Sequence, residues 1–300
     1  MKIGLTNIVS CKIGSTQVNR VYIGSTLIWS YSAFDPDAQL FITNAGITNT
    51  TQQSAINTLV TNLKGYNLWT KMKAIYPFVG GTATTHKFNL KNPLDTDAAF
   101  RLAFIGGWLH SANGIQGNSF QCYVNTYFNP AVIFGEFTYS EHFSYYSRTI
   151  VPNTDGLLYD DFGIPTYMSE GPLTTIVTDF GLGPGVNIWT KRSTSGTEII
   201  CNLTNAGLNT QGLFTTSKVN QNLLVLYKNS TSLGSNTDTE YTYTLNDIIR
   251  LGEDNLATST ALIPKKQYAF ATIGTGLTST DTANLYTAIQ AFQTTLGRQV

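Results

Sequence analysis

The sequence predicts a mainly β protein: an antiparallel jelly roll or β-sandwich with two peripheral helices and a small N-terminal β-meander. Short segments that alternate apolar and polar residues recur along most of the chain, separated by turns rich in Gly, Asn and Ser. Two other segments repeat apolar residues at helical spacing. Strands and helices do not alternate in the βαβ manner, so a doubly wound α/β fold is not expected.

The first thirty residues carry a repeat with a period of ten. Residues 2–6 read KIGLT, residues 12–16 read KIGST and residues 22–26 read YIGST, so that Ile, Gly and Thr keep their places. Each copy predicts a short strand with a Gly turn, and the three together predict the meander. A segment of about thirty residues buries too little apolar surface to be stable alone. It must therefore pack against copies of itself or against a larger host.

We interpret residues 1–30 as an attachment and oligomerisation module, and residues 31–300 as the body that it carries. The isoleucines of the repeat are expected to be buried between chains, its glycines to form turns, and its aromatic residues to act as anchors. The predicted attachment residues are Ile3, Gly4, Ile13, Gly14, Tyr22, Ile23, Gly24 and Trp29. The alternative is that these residues are simply the first strands of the main domain.

Three stretches carry helical signals. Asp35 is a predicted N-cap and Pro36 suits the first helical position, which predicts a short helix over residues 36–44. Apolar residues spaced three or four apart predict two longer helices, over about 51–64 and about 279–296. The spacing is carried by Ile56, Leu59, Val60 and Leu63 in the first, and by Leu285, Ala288, Ile289, Phe292 and Leu296 in the second. We expect both helices to pack on the outside of the sandwich, near each other.

Composition excludes several classes of partner. Charged residues make up 12% of the chain, and its formal net charge is +0. A nucleic-acid-binding protein needs a surplus of Lys and Arg to neutralise phosphates, and an anionic membrane attracts the same residues, so neither partner is expected. Hydrophobic residues make up 42%, which argues against disorder. The surface is expected to carry Thr, Ser, Asn and Gly, which suit strands and turns.

The cysteines and histidines predict no metal site and no cofactor. Cys11, Cys122 and Cys201 are odd in number and widely spaced, and no CxxC motif is present, so neither a disulfide framework nor a zinc site is indicated. The three histidines are equally scattered. The N-terminus lacks the apolar run of a signal peptide, and no segment is long enough to span a bilayer. These patterns predict synthesis in a cytoplasm, without membrane insertion.

Glu136 and Glu141 are the strongest candidate pair for sugar hydrolysis. Retaining glycosidases need two carboxyl groups about 5 to 5.5 Å apart. A spacing of five residues places the two on opposite faces of a regular strand, and Thr138 stands where laminarinase-like enzymes place an Asp between them. We therefore predict no catalytic residue, and the favoured alternative is a pair of solvent-exposed carboxylates.

Other acidic residues suggest a calcium site only weakly. Asp160, Asp161 and Asp179 could contribute oxygen ligands, but calcium takes six to eight of them. Turn-forming aspartates are the favoured alternative, and the same holds for Glu253 and Asp254. No metal ligand is therefore predicted.

Aromatic residues are the best binding feature in the body. Trp108 and His110 follow a Gly-Gly pair, and Tyr145 and Tyr146 lie in one short alternating segment. Such side chains stack on sugar rings when they are exposed, and they form part of the core when they are buried. We predict these four residues as glycan-binding candidates, with a core position as the alternative.

Several segments resemble virion proteins of tailed phages of Bacteroidetes, including crAss-like phages. They are residues 64–81 (KGYNLWTKMKAIYPFVGG), 86–90 (HKFNL), 268–274 (YAFATIG) and 293–300 (QTTLGRQV), while residues 21–29 (VYIGSTLIW) resemble short N-terminal attachment repeats of phage structural proteins. The resemblance implies a concanavalin A-like (laminin G-like) jelly roll in residues 31–300 and a role in a fibre or on the capsid surface. It implies no catalytic residue and does not extend to about residues 115–250.

Together, these features predict a virion structural protein that is not an enzyme, most simply a head (capsid) fibre on the capsid surface. Its partners would be capsid or other virion proteins, two further copies of itself in a homotrimer, and a host surface glycan. Three alternatives stay open: a tail-fibre receptor-binding protein, a glycan depolymerase, and a free cellular lectin, which the missing signal peptide disfavours.

Overall fold

A computed structural model of the 300-residue chain divides it into two compact units, Met1–Pro36 and Asp37–Val300. The residues that the structure describes are 12–18, 20–30, 34–118, 122–135, 140–150, 158–164, 175–179, 187–191, 198–202, 210–220, 223–237, 248–254 and 266–300. Sheets dominate these residues and every strand pair is antiparallel, which confirms the predicted fold class. None of the described helices is long and apolar enough to cross a membrane.

The part of the N-terminal unit that the structure describes contains two short hairpins. Strand β1 (Lys12–Ile13) pairs with β2 (Thr16–Gln17), and β3 (Arg20–Ile23) pairs with β4 (Thr26–Ser30), each pair forming its own two-stranded sheet. A Gly-Ser loop joins the strands of each hairpin, and its glycine has a φ of 62° or 61°. A positive φ at the first of two loop residues is the requirement of a type II′ turn, which explains why the repeat keeps its glycine. The first repeat lies outside the described residues.

The described helices of the body are α1 (Pro36–Asn44), α2 (Thr50–Gly65), α3 (Ala83–His86), α4 (Pro130–Phe134) and α5 (Ser279–Thr295), with one 3₁₀ turn at Asp97–Ala99. Helices α1, α2 and α5 lie close to where the sequence predicts them, whereas the short helices α3 and α4 are not among the predicted ones. Asn49 caps α2, because its side chain accepts the backbone N–H of Gln52 at 3.0 Å. Thr278 and Asp281 form a capping box at the start of α5.

Two antiparallel sheets form the body. The first, in spatial order, contains β17 (Thr231–Asn236), β16 (Leu223–Lys228), β15 (Gly212–Asn220), β10 (Glu141–Ser147), β19 (Gln267–Gly274), β8 (Gly114–Gly117) and β7 (Trp108–Ser111), with β5 (Met72–Tyr76) also paired to β19. The second contains β14 (Glu198–Asn202), β13 (Asn187–Lys191), β12 (Thr175–Asp179), β11 (Leu158–Gly163), β18 (Arg250–Asp254), β9 (Tyr123–Asn125) and β6 (Ala103–Ile105).

The core lies between the two sheets and continues beneath the helices. Phe143 of β10 meets Phe162 of β11 edge to face, with ring centroids 6.0 Å apart. On the opposite face of the eight-stranded sheet, Phe270 of β19 packs against Phe292 of α5 at 5.7 Å. Helix α2 packs against α5, as the sequence predicts. Strands β10 and β19 are therefore covered on both faces.

Arg298 anchors the end of the chain in this structure. Its side chain is fully buried just beyond α5, and its Nε donates to the side-chain carbonyl of Gln293. The two terminal nitrogens donate to the backbone carbonyls of Pro77 (2.6 Å), Phe78 (2.8 Å), Ala269 (2.9 Å) and Ala112 (3.3 Å). One guanidinium thus connects α5 to β19, to the segment after β5 and to the β7–β8 hairpin. Burial lowers its pKa to about 9, which leaves it charged at neutral pH.

We expect Arg298→Met to lower the free energy of unfolding by about 3 kcal/mol or more, because it leaves several buried carbonyls without a donor. Arg298→Lys should recover only part of this loss, since an ammonium cannot span four carbonyls. Urea denaturation followed by circular dichroism measures both. Arg101→Met is the control: its ion pairs with Asp95 and Asp97 lie at the surface, so little change is expected. Equal losses for the variants at 298 and 101 would contradict the anchoring role.

Candidate functional site

The clearest candidate site lies where the two sheets end side by side. Strand β6 is an edge of the seven-stranded sheet and β7 is an edge of the eight-stranded sheet, and only Gly106 and Gly107 separate them in sequence. Gly106 has a φ of 75°, which favours glycine at this crossing. Trp108 and His110 are two residues apart on β7, so their side chains lie on the same face of the strand.

Phe104, Trp108 and His110 form what we call the edge cluster. The rings of Phe104 and His110 meet edge to face at 4.5 Å, and those of Phe104 and Trp108 lie 6.3 Å apart. The indole N–H of Trp108 donates to the carbonyl of Ile105 at 3.1 Å. Gly252 makes room for this indole, since a Cβ there would lie 2.8 Å from its ring edge. Trp108 and His110 are half-buried, so the cluster is part core and part surface.

A second histidine, His86, determines which ring nitrogen of His110 carries the proton. His86, at the end of α3, accepts the backbone N–H of Gly81 on Nε2 at 3.2 Å, so its proton sits on Nδ1. Nδ1 of His86 lies 3.0 Å from Nδ1 of His110 and donates to it. The proton of His110 therefore sits on Nε2, where it is a hydrogen-bond donor within the edge cluster.

Both imidazoles are neutral at neutral pH. Burial, the nearby His110 and the cation of Arg298 together lower the pKa of His86 to about 3, with burial the largest cause. Burial also lowers the pKa of His110. The edge cluster thus offers aromatic rings and a neutral N–H donor, a combination that suits an uncharged polar ligand with apolar patches, such as a sugar ring.

Tyr145 and Tyr146 cannot serve as exposed stacking residues, so their predicted glycan-binding role is wrong. Both are fully buried. They are consecutive residues of β10, so their side chains point to opposite faces of the strand. The second sheet covers one of these faces and α5 covers the other. The hydroxyl of Tyr146 donates to Gln290 of α5 at 3.0 Å and accepts the backbone N–H of Val300 at 2.9 Å. For Trp108 and His110, glycan binding stays a prediction.

The acidic candidates are also placed differently from the sequence-based expectation. Glu141 is buried in β10 and is not a solvent-exposed carboxylate. Asp160 and Asp161 lie in β11 and Asp179 ends β12, so these aspartates belong to strands and do not form turns. Glu253 and Asp254 lie in β18. Glu136 falls outside the described residues, and within the part of the chain that the structure describes no group of His, Cys, Asp and Glu could hold a metal ion.

A buried polar group between the sheets was not foreseen from the sequence. Asp161 forms an ion pair with Lys266, and the hydroxyls of Tyr145 and Tyr268 both donate to the same carboxylate. Lys266 directly precedes β19, so the group joins the two sheets. Its members come from β10, β11 and the start of β19, and no single local motif relates all four of them.

Four of the predicted attachment residues, Ile13, Gly14, Ile23 and Gly24, are exposed within the chain. Ile13 and Ile23 stand beside their Gly turns with 76% and 70% of their surface exposed. Gly14 and Gly24 form turns as predicted. Tyr22 and Trp29 belong to β3 and β4. The remaining two predicted residues, Ile3 and Gly4, lie outside the described residues, and burial of this set between chains stays a prediction.

Comparison with known proteins identifies the fold and no family. No family model matches the chain, and no curated protein matches it in sequence. Botulinum neurotoxin type C, in a structure concerned with cell entry through interaction with two ganglioside molecules, matches with a TM-score of 0.52 and 13% identity over 75% of this chain and 52% of that chain. The binding domain of botulinum neurotoxin serotype D matches with a TM-score of 0.51 and 9% identity over 73% of this chain and 51% of that chain.

These matches show a lectin-like β-sandwich and nothing more specific, because their sequence identities are so low. This chain spans about half the length of the toxin chains that it matches. A third match, domain 4 of an arabinanase from Geobacillus stearothermophilus in complex with arabinotriose, has a TM-score of 0.48 and 14% identity over 72% of this chain and 98% of that chain.

We expect the body to lose stability in acid because of buried neutral histidines. Burial lowers the pKa of His142 to about 4, from 6.5 in the unfolded chain. Above pH 6.5 neither state binds the proton. Between pH 6.5 and 4 only the unfolded state does, so stability falls by about 3 kcal/mol from His142 alone and by more with His86. Urea unfolding at pH 7.5, 5.5 and 4.5 measures this slope.

The matched variant for this prediction is His142→Gln. Nδ1–H of His142 donates to the carbonyl of Thr275 at 2.6 Å, and its Nε2 accepts the hydroxyl of Thr272 at 3.1 Å. A glutamine amide offers one donor and one acceptor group and does not titrate. The variant should therefore show a shallower loss of stability between pH 6.5 and 4, and a slope equal to that of the wild type would show that His142 is not responsible.

Proposed function

We propose that this chain is a structural protein of a bacteriophage particle, a head (capsid) fibre that is attached through its N-terminal hairpins and displays a lectin-like body. The observation that carries the proposal is the separate N-terminal unit, in which two copies of one repeat each hold an isoleucine out to solvent. The resemblance of the sequence to phage virion proteins supplies the class of particle. Synthesis would take place in the cytoplasm of the host bacterium.

Burial of the exposed isoleucines against a partner would be energetically favourable. Ile13 and Ile23 keep more than two-thirds of their surface in water. Burying one such side chain is worth about 1.5 to 3 kcal/mol, and an isolated two-stranded hairpin is marginal at best. Three copies of the chain brought together would bury these side chains against one another, which is why we propose a homotrimer anchored to a capsid protein or another virion protein.

The proposed role of the body is adhesion to a host surface glycan. Its fold matches about half of a botulinum neurotoxin chain whose structure concerns interaction with two ganglioside molecules. The edge cluster provides aromatic rings and a fixed N–H donor at an open edge of the sandwich. Glu141 is buried, which removes one carboxylate of the pair that the depolymerase alternative needs. We therefore propose a binding protein without catalytic activity, and a tail-fibre receptor-binding protein remains the second candidate.

The attachment proposal predicts that Ile13→Thr combined with Ile23→Thr turns a trimer into a monomer, because threonine keeps the strand but loses apolar surface. Light scattering of the purified chain measures the mass. Leu109→Thr is the matched control, since Leu109 is 54% exposed in the body and should not affect assembly. An unchanged mass for the double variant would refute attachment through these residues. Imaging of virions with a labelled antibody then separates head from tail.

The adhesion proposal predicts that Trp108→Ala and His110→Ala each weaken binding to the best ligand of a glycan array by about tenfold, or about 1.4 kcal/mol. Tyr66→Ala is the control, because Tyr66 is an exposed aromatic residue that follows α2, outside the edge cluster. Calorimetric titration measures the affinity, and thermal melting checks that each variant is folded. Folded variants that bind like the wild type would remove the edge cluster as the site.

A further inference from the structure

The buried group between the two sheets has the geometry of a covalent cross-link. Nζ of Lys266 lies 2.6 Å from Oδ2 of Asp161. The side chain of Lys266 is 3% exposed and that of Asp161 is 0% exposed. A carboxyl C–O bond is about 1.23 Å long, so the amine lies no more than about 3.8 Å from the carboxyl carbon. This is close to the separation of about 3 to 3.5 Å from which atoms react.

The surroundings of Lys266 favour its neutral, reactive amine. Nζ of Lys266 lies 5.2 Å from the ring centre of Tyr145 and 5.9 Å from that of Phe214. Burial lowers the pKa of Lys266, although the adjacent carboxylate of Asp161 opposes this. Transfer of one proton along the 2.6 Å contact converts the ion pair into an amine and a carboxylic acid, and both are less costly to bury than the ions.

Two tyrosine hydroxyls occupy the positions that amide formation requires. The hydroxyl of Tyr145 lies 3.0 Å from Nζ of Lys266 and 2.9 Å from Oδ2 of Asp161, so it bridges the nucleophile and the oxygen that leaves. The hydroxyl of Tyr268 donates to the other carboxyl oxygen, Oδ1, at 3.1 Å. A donor at this oxygen stabilises the negative charge that develops there during attack on the carboxyl carbon.

We propose that Lys266 and Asp161 form an intramolecular isopeptide bond that ties the eight-stranded sheet to the seven-stranded sheet. The amine of Lys266 attacks Cγ of Asp161, and Tyr268 stabilises the oxyanion on Oδ1. Tyr145 passes a proton from the nitrogen to Oδ2, the Cγ–Oδ2 bond breaks and one water leaves. The N–Cγ bond replaces the Cγ–Oδ2 bond, no atom is oxidised or reduced, and no co-reactant is needed.

A second lysine–aspartate pair provides an internal comparison. Nζ of Lys71 lies 2.6 Å from Oδ2 of Asp281, the same separation as in the buried pair. Its side chains are 32% and 15% exposed, so both ions remain hydrated and water competes at the carboxyl group. We expect no bond between Lys71 and Asp281. The contrast assigns the reaction to the dry, tyrosine-lined environment of Lys266 and not to distance alone.

Intact-mass spectrometry of the purified, denatured chain tests the proposal. The expected mass is that of the sequence minus one water, and proteolysis should release a branched peptide that joins Asp161 to Lys266. Lys266→Arg keeps the charge but has no reactive amine, so it should show the full sequence mass. Lys71→Arg should still show the loss of one water. Tyr145→Phe should lower the linked fraction at least tenfold after equal times.

Two results would overturn the inference. One is a wild-type chain with its full sequence mass, which needs no variant to interpret. The other is a loss of water that persists in Lys266→Arg, as a succinimide at Asp155-Gly156 would give. If Tyr145→Phe fails to fold, the wild-type mass and the branched peptide still decide the outcome.

Discussion

Coverage of both faces of the eight-stranded sheet is the constraint on which the rest of the body depends. Strands β10 and β19 lie at its centre, with the seven-stranded sheet on one side and α5 on the other. The helix is held there by Arg298, whose guanidinium reaches carbonyls on β19 and on two neighbouring segments. The last residues of the chain therefore decide whether the outer face of the sheet is closed, and a closed outer face is what makes Tyr146 a core residue.

This chain has few charged residues, and some of them are buried in the body. Only 12% of residues are charged, yet Arg298, Lys266 and Asp161 are buried in the body, each with several hydrogen-bond partners. A buried ion pair of this kind contributes little net stability, because the cost of removing two ions from water offsets their attraction. Its value lies in fixing one arrangement of the two sheets, and an amide between the same residues would fix it without the cost of the ions.

The sequence predicts local features well and long-range ones poorly. The helices over 36–44, about 51–64 and about 279–296 could be predicted because helical spacing and caps are local signals, and the Gly turns because they need a positive φ. The burial of Tyr145 and Tyr146 could not, because it depends on which sheet and which helix cover β10. His86 and His110 are 24 residues apart, and their contact follows only from the meeting of α3 with an edge strand.

Ile13 and Ile23 are the most exposed large apolar residues among those that the structure describes, at 76% and 70%. Most large apolar side chains of the body are buried between its sheets and under its helices. Each described copy of the repeat places an exposed isoleucine beside its Gly turn. Both copies can therefore make the same contact with the same kind of partner. Repetition raises the strength of attachment without any new type of contact, since later contacts form within an already tethered assembly. The body that we propose to be adhesive would benefit in the same way from display in many copies, and this is the physical reason for proposing a particle-bound protein and not a free lectin.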